Sequence, residues 1–289
     1  MRFAVVDVDD VLIATAGALD IAADAMLVPL SQHFGRRQAN AVRREFMLAM
    51  DVGIRHLRAH GDPPDSEYAD LMRRTAWWQR GLSEAGFEVK AWSRHALIAC
   101  ALESCGLPVT AAAVDAAADR YWATVASRAY VYTDAALFVR RLRRAGVPIH
   151  LATGSDGFLT FDDLRQTFIY APKRSARLKL ARLPSLASLG FRADDITVAD
   201  PVGKPSPGFY CEVLRRFAVA AGREIDLEHT VAVGDSLSND ILPLLGLGAA
   251  RGVWLLRDGA AARRRGWNQP QVTIVGALDE PEVWDAFSA

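Results

Sequence analysis

Lysine is scarce in this chain: Lys90, Lys173, Lys179 and Lys204 stand alone among 34 basic residues, the rest being arginine. Cysteine is scarcer, with only Cys100, Cys105 and Cys211, which fits reduced thiols better than a disulfide framework. Neither sign of charge is in excess. Thirty-four bases meet 34 acids over 289 residues, and 13 meet 13 within residues 15–129. Neither part therefore has the basic surplus of a nucleic-acid or anionic-membrane binder. Half the residues are hydrophobic (51%), yet no apolar run approaches the ~20 residues of a membrane span. Arg2 leads straight into a short apolar stretch and three acids, so no secretory leader is expected, and the expected location is the cytoplasm. These absences leave a small soluble substrate as the expected partner. They say nothing about oligomeric state.

The stretch with the most to say is the first. Phe3-Ala4-Val5-Val6 reads as a short strand buried on both faces, and it runs directly into Asp7, Asp9 and Asp10. While the chain stays extended, Asp7 and Asp9 leave the same face. Two carboxylates about 4 Å apart at an effective dielectric near 20 repel by roughly 4 kcal/mol. Such a cluster persists only where a cation or proton neutralises it. One reading is a metal-dependent acid pair at the carboxyl edge of a parallel sheet, where open α/β folds bind their ligands. The plainer reading is a strand ending in a solvated acidic turn, and the rest of the chain has to decide.

After Leu12 the pattern turns helical for about 115 residues. Helices are expected over 18–34, 36–59, 67–85 (with Ser66 as cap), 93–105 and 110–127. From Tyr130 strands and helices alternate. A helix over 135–145, capped by Thr133 or Asp134, ends at Gly146. Strands follow at 147–152, 196–199, 230–233, 252–256 and 272–275, with helices at 175–189 and 207–221. That alternation implies a parallel, helix-covered sheet with right-handed crossovers. The expected fold is therefore α/β, a Rossmann-like three-layer parallel core built from 1–14 and 130–289, with 15–129 inserted as an all-helical domain.

Strand ends then supply Asp7 and Asp9, Thr153, and Asp235, with Lys204 just beyond the third strand. Asp7-Val8-Asp9-Asp10-Val11, Leu151-Ala152-Thr153-Gly154, Gly203-Lys204-Pro205-Ser206-Pro207 and Gly234-Asp235-Ser236-Leu237-Ser238-Asn239-Asp240 resemble the four ordered signatures of the haloacid dehalogenase superfamily. The resemblance covers about residues 3–14 and 130–256, and the helical insert resembles the cap many members carry. It implies Asp7 as nucleophile, forming an aspartyl-phosphate, and Asp9 as the acid and base that serves leaving group and water. It implies Thr153 and the Gly154 amide as holders of phosphoryl oxygens, with Lys204 neutralising Asp7 and the transferring charge. Mg²⁺ would be bound by Asp7, Asp235 and the Asp9 backbone carbonyl, and Asn239 and Asp240 would orient Asp235 or Lys204. The scarcity of lysine gives Lys204 weight of its own, because Gly-Lys-Pro in an arginine-rich chain suggests a need for a compact point charge.

Other residues read more plainly. His56 and His60 have helical metal-pair spacing but no third ligand, and suit a solvated helix face. Cys100 and Cys105 suit packing. Trp77 and Trp78 point about 100° apart on a helix, so one belongs to a core. Lys173-Arg174 through Arg182 and Arg263-Arg264-Arg265 read as solvated surface. Asp156, and the length of the segment from Thr153 to Lys204, depart from the family pattern and bear on substrate fit. Specificity is expected from the cap and the turn about Thr15–Leu19. The implied activity is Mg²⁺-dependent hydrolysis of a small phosphomonoester. A phosphomutase or phosphotransferase would use the same residues, and a catalytically idle binding or regulatory protein is the alternative from another class. Asp9 argues against a dehalogenase, since carbon–halogen cleavage has no leaving alkoxide to protonate.

Overall fold

The computed structural model describes residues 2–58, 65–90, 93–155, 159–171, 179, 181, 183–257 and 269–288. No helix among them is long and apolar enough to cross a membrane. The chain divides into two compact units, one of Met1–Thr15, Ala129–Gly154 and Arg182–Ala289, the other of Ala16–Arg128 and Ser155–Ala181.

The first unit is built on β1 (Phe3–Val6), every residue of which is buried. β1 lies between two parallel neighbours, β4 (Ile149–Gly154) and β8 (Thr230–Gly234), and β7 (Ile196–Ala199), β9 (Arg251–Leu255) and β10 (Val272–Val275) complete a six-stranded parallel sheet. The order is β10-β9-β8-β1-β4-β7. Successive β1 residues serve opposite faces, as the pleat requires. Ala4 and Val6 pack with Phe138 and Leu142 of helix Thr133–Arg144 and Val283 of helix Pro281–Ser288. Phe3 and Val5 pack with Phe209, Val213 and Phe217 of helix Pro207–Ala221. Helices on both faces give the three-layer α/β architecture. Each fully buried Val or Phe here contributes about 1.5–3 kcal/mol, so a charge at Val5 or Val6 would break the centre of the sheet.

Details differ from the sequence reading in instructive ways. β4 runs on through Thr153 and Gly154, which pair with Val198 and Ala199 of β7. Helix Thr133–Arg144 starts two residues early, with Tyr132 at its N-cap position. Asp134 does not cap it, because its carboxylate accepts from Arg257 and from the Leu278 amide, both at 2.8 Å. Of the expected helix 175–189, Leu183–Ala187 is present and residues 175–178, 180 and 182 lie outside the described residues. A two-residue antiparallel ribbon joins β2 (Ile13–Ala14) to β3 (Tyr130–Val131).

The second unit carries helices Leu19–Ala25, Leu27–Phe34, Arg36–Arg58, Ser66–Trp78, Arg80–Glu84, Arg94–Ser104 and Ala111–Arg128. The expected run 18–34 is two helices that meet at Met26. Pro29 accounts for the break, since it donates no amide and crowds the carbonyl four residues back. The cap of helix Ser66–Trp78 is Asp65, not Ser66: its carboxylate accepts from Tyr68 N at 2.7 Å.

This unit is not wholly helical, and residues 155–181 group with it, not with the sheet as expected. β5 (Leu159–Asp162) and β6 (Thr167–Tyr170) form an antiparallel hairpin. Leu159, Phe161 and Phe168 bury in the helical core, and Thr167 Oγ1 donates to Trp78 O at 3.0 Å while accepting from Gly81 N at 3.1 Å. A Cβ on Gly81 would fall 2.8 Å from Phe168 O, so only glycine admits the hairpin this closely.

Candidate active site

All the chemistry-bearing residues that follow belong to the first unit. β1 delivers Asp7, whose amide donates to Val233 O of β8 at 2.9 Å, so the sheet fixes its backbone. Its carboxylate is buried and meets Lys204: Nζ donates to Asp7 Oδ1 at 2.6 Å and to Asp240 Oδ1 at 2.6 Å. Asp240 is in turn held by Ser236 N, which donates to Oδ2 at 2.9 Å. One carboxylate oxygen from each of Asp7, Asp235 and Asp240 lies within 4.8 Å of the others.

The segment that carries Asp240 is a single π-turn, Leu237–Ile241, a geometry frequent at functional sites. Two hydrogen bonds to Asn239 hold it. Ser236 Oγ accepts from Asn239 N at 3.3 Å, and the Tyr210 hydroxyl donates to Asn239 O. Gly234 and Gly252 make room beneath: a Cβ on Gly234 would sit 2.3 Å from Asp240 Cβ, and one on Gly252 2.3 Å from Ile241 Cγ2. Trp254 Nε1 donates to Asp235 O at 2.9 Å, which fixes the backbone of the third acid.

Asp9 lies on the loop after β1, where Thr153 Oγ1 approaches its Oδ2 at 3.4 Å. The chain is no longer extended there, since Asp10 takes a left-handed φ of 58°. Its carboxylate accepts from Thr15 N at 2.8 Å, which offsets part of the strain by closing the turn. Gly154 ends β4 with open space where a Cβ would project.

Residues 1–248 match the model of a family described as haloacid dehalogenase-like hydrolase. The chain belongs to that family. No curated protein matches it in sequence. Among solved structures, this hydrolase is similar to a 2-haloacid dehalogenase from Pseudomonas syringae pv. Tomato DC3000 (19% identity, all of both chains, TM-score 0.54). It is also similar to a Bacillus subtilis protein described as the HAD-hydrolase YfnB bound to magnesium (15% identity, 100% of this chain and 99% of that one, TM-score 0.52). A haloacid dehalogenase-like hydrolase from Xanthomonas campestris gives 17% identity over 99% and 94% of the two chains, with a TM-score of 0.50. At these identities the likeness speaks to the fold.

The electrostatics of the hydrolase site follow from burial. Desolvation pushes the Asp7 carboxyl up to about 7, against the pull of Lys204, and Asp240 and Asp9 push the same way as burial. Desolvation alone would lower Lys204, but Asp240 and Asp7 hold it well above an ordinary lysine. Asp235 keeps an exposed face. Its carboxyl is nonetheless raised, by the protein packed beneath it first and then by Asp240 and Asp7. Three carboxylates and one ammonium leave two formal negative charges, all on oxygen, and that donor set fits a hard divalent cation such as Mg²⁺.

Of the residues expected from the sequence, Asp7, Lys204, Asp235 and Asp240 converge, and Asp9 meets Thr153. Asn239 contributes through its backbone. The Asp9 side chain is not part of the converging acid set, its expected metal contact being through the backbone carbonyl. Of the two residues Asp240 was expected to orient, Asp235 or Lys204, it is Lys204 whose ammonium it accepts from. Tyr210 was missed, though its place six residues after Lys204, on the helix Pro207–Ala221 that follows it, was a usable signal. Asp156, His60, Lys173, Arg174 and Arg263–Arg265 lie outside the described residues. His56 stacks on Tyr68 with ring centroids 3.7 Å apart. Trp78 is core and Trp77 exposed. Cys100 is buried, which pushes its thiol up to about 12 and leaves it inert.

Proposed function

We propose that this hydrolase is a Mg²⁺-dependent phosphatase acting on a small phosphorylated metabolite in the cytoplasm. The observation that carries the reading is the pairing of roles at the end of β1. Asp7 is held by Lys204, and a second acid, Asp9, lies against Thr153. A carboxylate oxygen of Asp7 attacks phosphorus and the ester oxygen leaves, taking its proton from Asp9. Asp9, now a carboxylate, removes a proton from the water that attacks the aspartyl-phosphate. Orthophosphate departs and Asp7 is restored. Thr153 Oγ1 and the Gly154 amide hold phosphoryl oxygens, and Lys204 balances the charge that moves from Asp7 to phosphate. Asp7, Asp235 and the Asp9 carbonyl would hold Mg²⁺, which when bound supplies further neutralisation of phosphoryl charge; Asp240 and Asn239 keep Lys204 and the π-turn in place. Spontaneous hydrolysis of such esters is so slow that these groups together must supply on the order of 20 kcal/mol or more.

A dehalogenase has no use for the proton on Asp9, which favours phosphoryl transfer. A mutase or phosphotransferase would share every residue named, and an idle binding protein would have no need of a proton donor at Asp9. We assign the cap role to the unit of Ala16–Arg128 and Ser155–Ala181, as the source of specificity. The test is orthophosphate release across sugar, nucleotide and small-acid phosphates, with Mg²⁺ and with excess chelator. Stoichiometric release that chelator abolishes, and that Asp7→Asn reduces at least about a thousandfold, is expected. Isomerisation of a sugar phosphate without phosphate release, or an unchanged rate in Asp7→Asn, overturns the reading.

A further inference from the structure

Arg257 follows the carboxyl end of β9, outside every motif so far discussed, and all the edges of its guanidinium are used. Nε donates to Asp10 O at 3.1 Å and Nη2 to Val11 O at 2.8 Å. Nη1 donates to Asp134 Oδ2 at 2.8 Å, and the same oxygen accepts from Leu278 N at 2.8 Å. The plane lies over the Tyr132 ring, 3.8 Å from its centroid. A planar fork that meets two carbonyls with one edge, a carboxylate with another and an aromatic ring with its face is a task lysine cannot do.

The residues it holds matter because of where they stand in the chain. Asp10 and Val11 immediately follow Asp9. The rest of that loop is closed by its own backbone: Val8 O accepts from Leu12 N and Ile13 N, both at 3.0 Å, and Ile13 O accepts from Asp10 N at 2.7 Å. Leu12 O accepts from Tyr132 N at 3.1 Å. The carbonyls of Asp10 and Val11 point to Arg257 instead. Asp7, by contrast, is fixed through its amide by Val233. Loss of Arg257 therefore frees the loop that carries Asp9 while leaving the backbone of Asp7 in the sheet.

We propose that Arg257 is a positioning residue that fastens the Asp9–Val11 loop to β9 and to the start of helix Thr133–Arg144, so that Asp9 delivers its proton to the leaving oxygen. The chemical half of this inference rests on the phosphatase reading above; the mechanical half does not.

Two measurements separate them. In the first, enzyme in excess is mixed with phenyl phosphate or p-nitrophenyl phosphate, and release of the phenol is followed over one turnover. The two probes have the same aryl frame and differ in how much the leaving oxygen needs a proton. Arg257→Met should slow phenol release about tenfold or more and p-nitrophenol release less than about threefold. Arg257→Lys, which keeps the charge without the fork, should resemble Met. Equal slowing of both probes, or full activity in either variant, overturns the proposal. The second measurement is hydrogen exchange at the amides of Asp10, Leu12 and Ile13, with Val231–Val233 of β8 as reference. Exchange in the loop should rise about tenfold or more in Arg257→Met with β8 unchanged. An unchanged loop overturns the clamp whatever the activity. Should wild-type protein release neither phenol while the loop loosens as expected, the phosphatase reading fails and the clamp stands. The Lys variant supplies both readouts if the Met variant does not fold.

Discussion

Lys204 and His150 are both basic and both largely withdrawn from water in the same sheet-bearing unit, yet they are held in opposite charge states. Lys204 has two carboxylates at 2.6 Å and stays a cation, well above its usual range. His150, on the same β4 that delivers Thr153, stacks on Phe217 at 5.2 Å and shares a hydrogen bond of 2.8 Å between Nε2 and Thr197 Oγ1. Burial first, and then the cation of Arg216, pushes it down to about 4. Burial alone drives a basic group neutral; only charged partners reverse it. At the strand end where Asp7 and Asp240 gather, the fold keeps a charge for chemistry. Along the strand, where the ring meets Phe217 and Thr197, a neutral imidazole serves as packing.

The comparison is broken most forcefully by Lys204→Met. The substitution keeps the stem and leaves Asp7 and Asp240 facing each other without a cation. Breaking a buried pair in this way costs about 3–5 kcal/mol, and loss of the charge that steadies the phosphoryl group should lower turnover about a hundredfold or more. Urea melts without added metal, together with phosphate release, measure both. Stability within 1 kcal/mol of wild type would mean that the lysine is not the partner that makes the acid pair tolerable.

His150 supplies the converse test, with a smaller effect. Between about pH 4 and the ordinary value of 6.5, the unfolded chain holds a proton on His150 that the native state refuses. Stability therefore rises with pH through that window, is fully present above it, and is lost as pH falls towards 4. The whole window is worth about 3 kcal/mol, and roughly 2 kcal/mol of that is gone at pH 5. His150→Gln keeps a polar partner for Thr197 and removes the titration. The loss of stability between pH 7.5 and pH 5 should be smaller in the variant by about that amount. Parallel pH profiles would show that the folded protein takes up that proton as readily as the unfolded chain does.

Much of the first unit was legible in the sequence because its signals are local. A β-branched run that stops at an acid marks β1 and Asp7, and strands 196–199 and 272–275 and helix 207–221 have the bounds their patterns predict. What escaped depends on partners far along the chain. β5 and β6 are four residues each, and only the fit of Phe161 and Phe168 into a helical core decides which unit they join. Arg257 is one arginine among many, and its partners Asp10 and Val11 are 247 and 246 residues away. Asp134 had the look of a helix cap until Arg257 and Leu278 claimed its carboxylate. Asp240 was visible as an acid after the Gly234-Asp235 pair, but its direct hold on Lys204 requires the π-turn and the bare backbone of Gly234, neither of which a pattern of residue types announces.

The finest way to sharpen the contrast is Tyr210→Phe. Tyr210 and Lys204 flank the start of helix Pro207–Ala221, and the Tyr210 hydroxyl donates to the carbonyl of Asn239, next to Asp240. Burial pushes that hydroxyl upward, against the pull of Lys204, so it remains a donor at any ordinary pH. The bond thus ties the helix that follows the cation to the turn that bears its second carboxylate. Removing the oxygen leaves a buried carbonyl short of one donor, at about 1 kcal/mol. If the tie serves to keep Asp240 on Lys204, kcat should fall by about fivefold, which matches that energy, with KM nearly unchanged because no substrate contact is lost. The effect should also vanish in an Asp240→Asn background, since a tie cannot position a charge that is no longer there. Additive losses in the double variant would instead mean that Tyr210 acts apart from the pair, and the state of Lys204 would then rest on the two carboxylates alone.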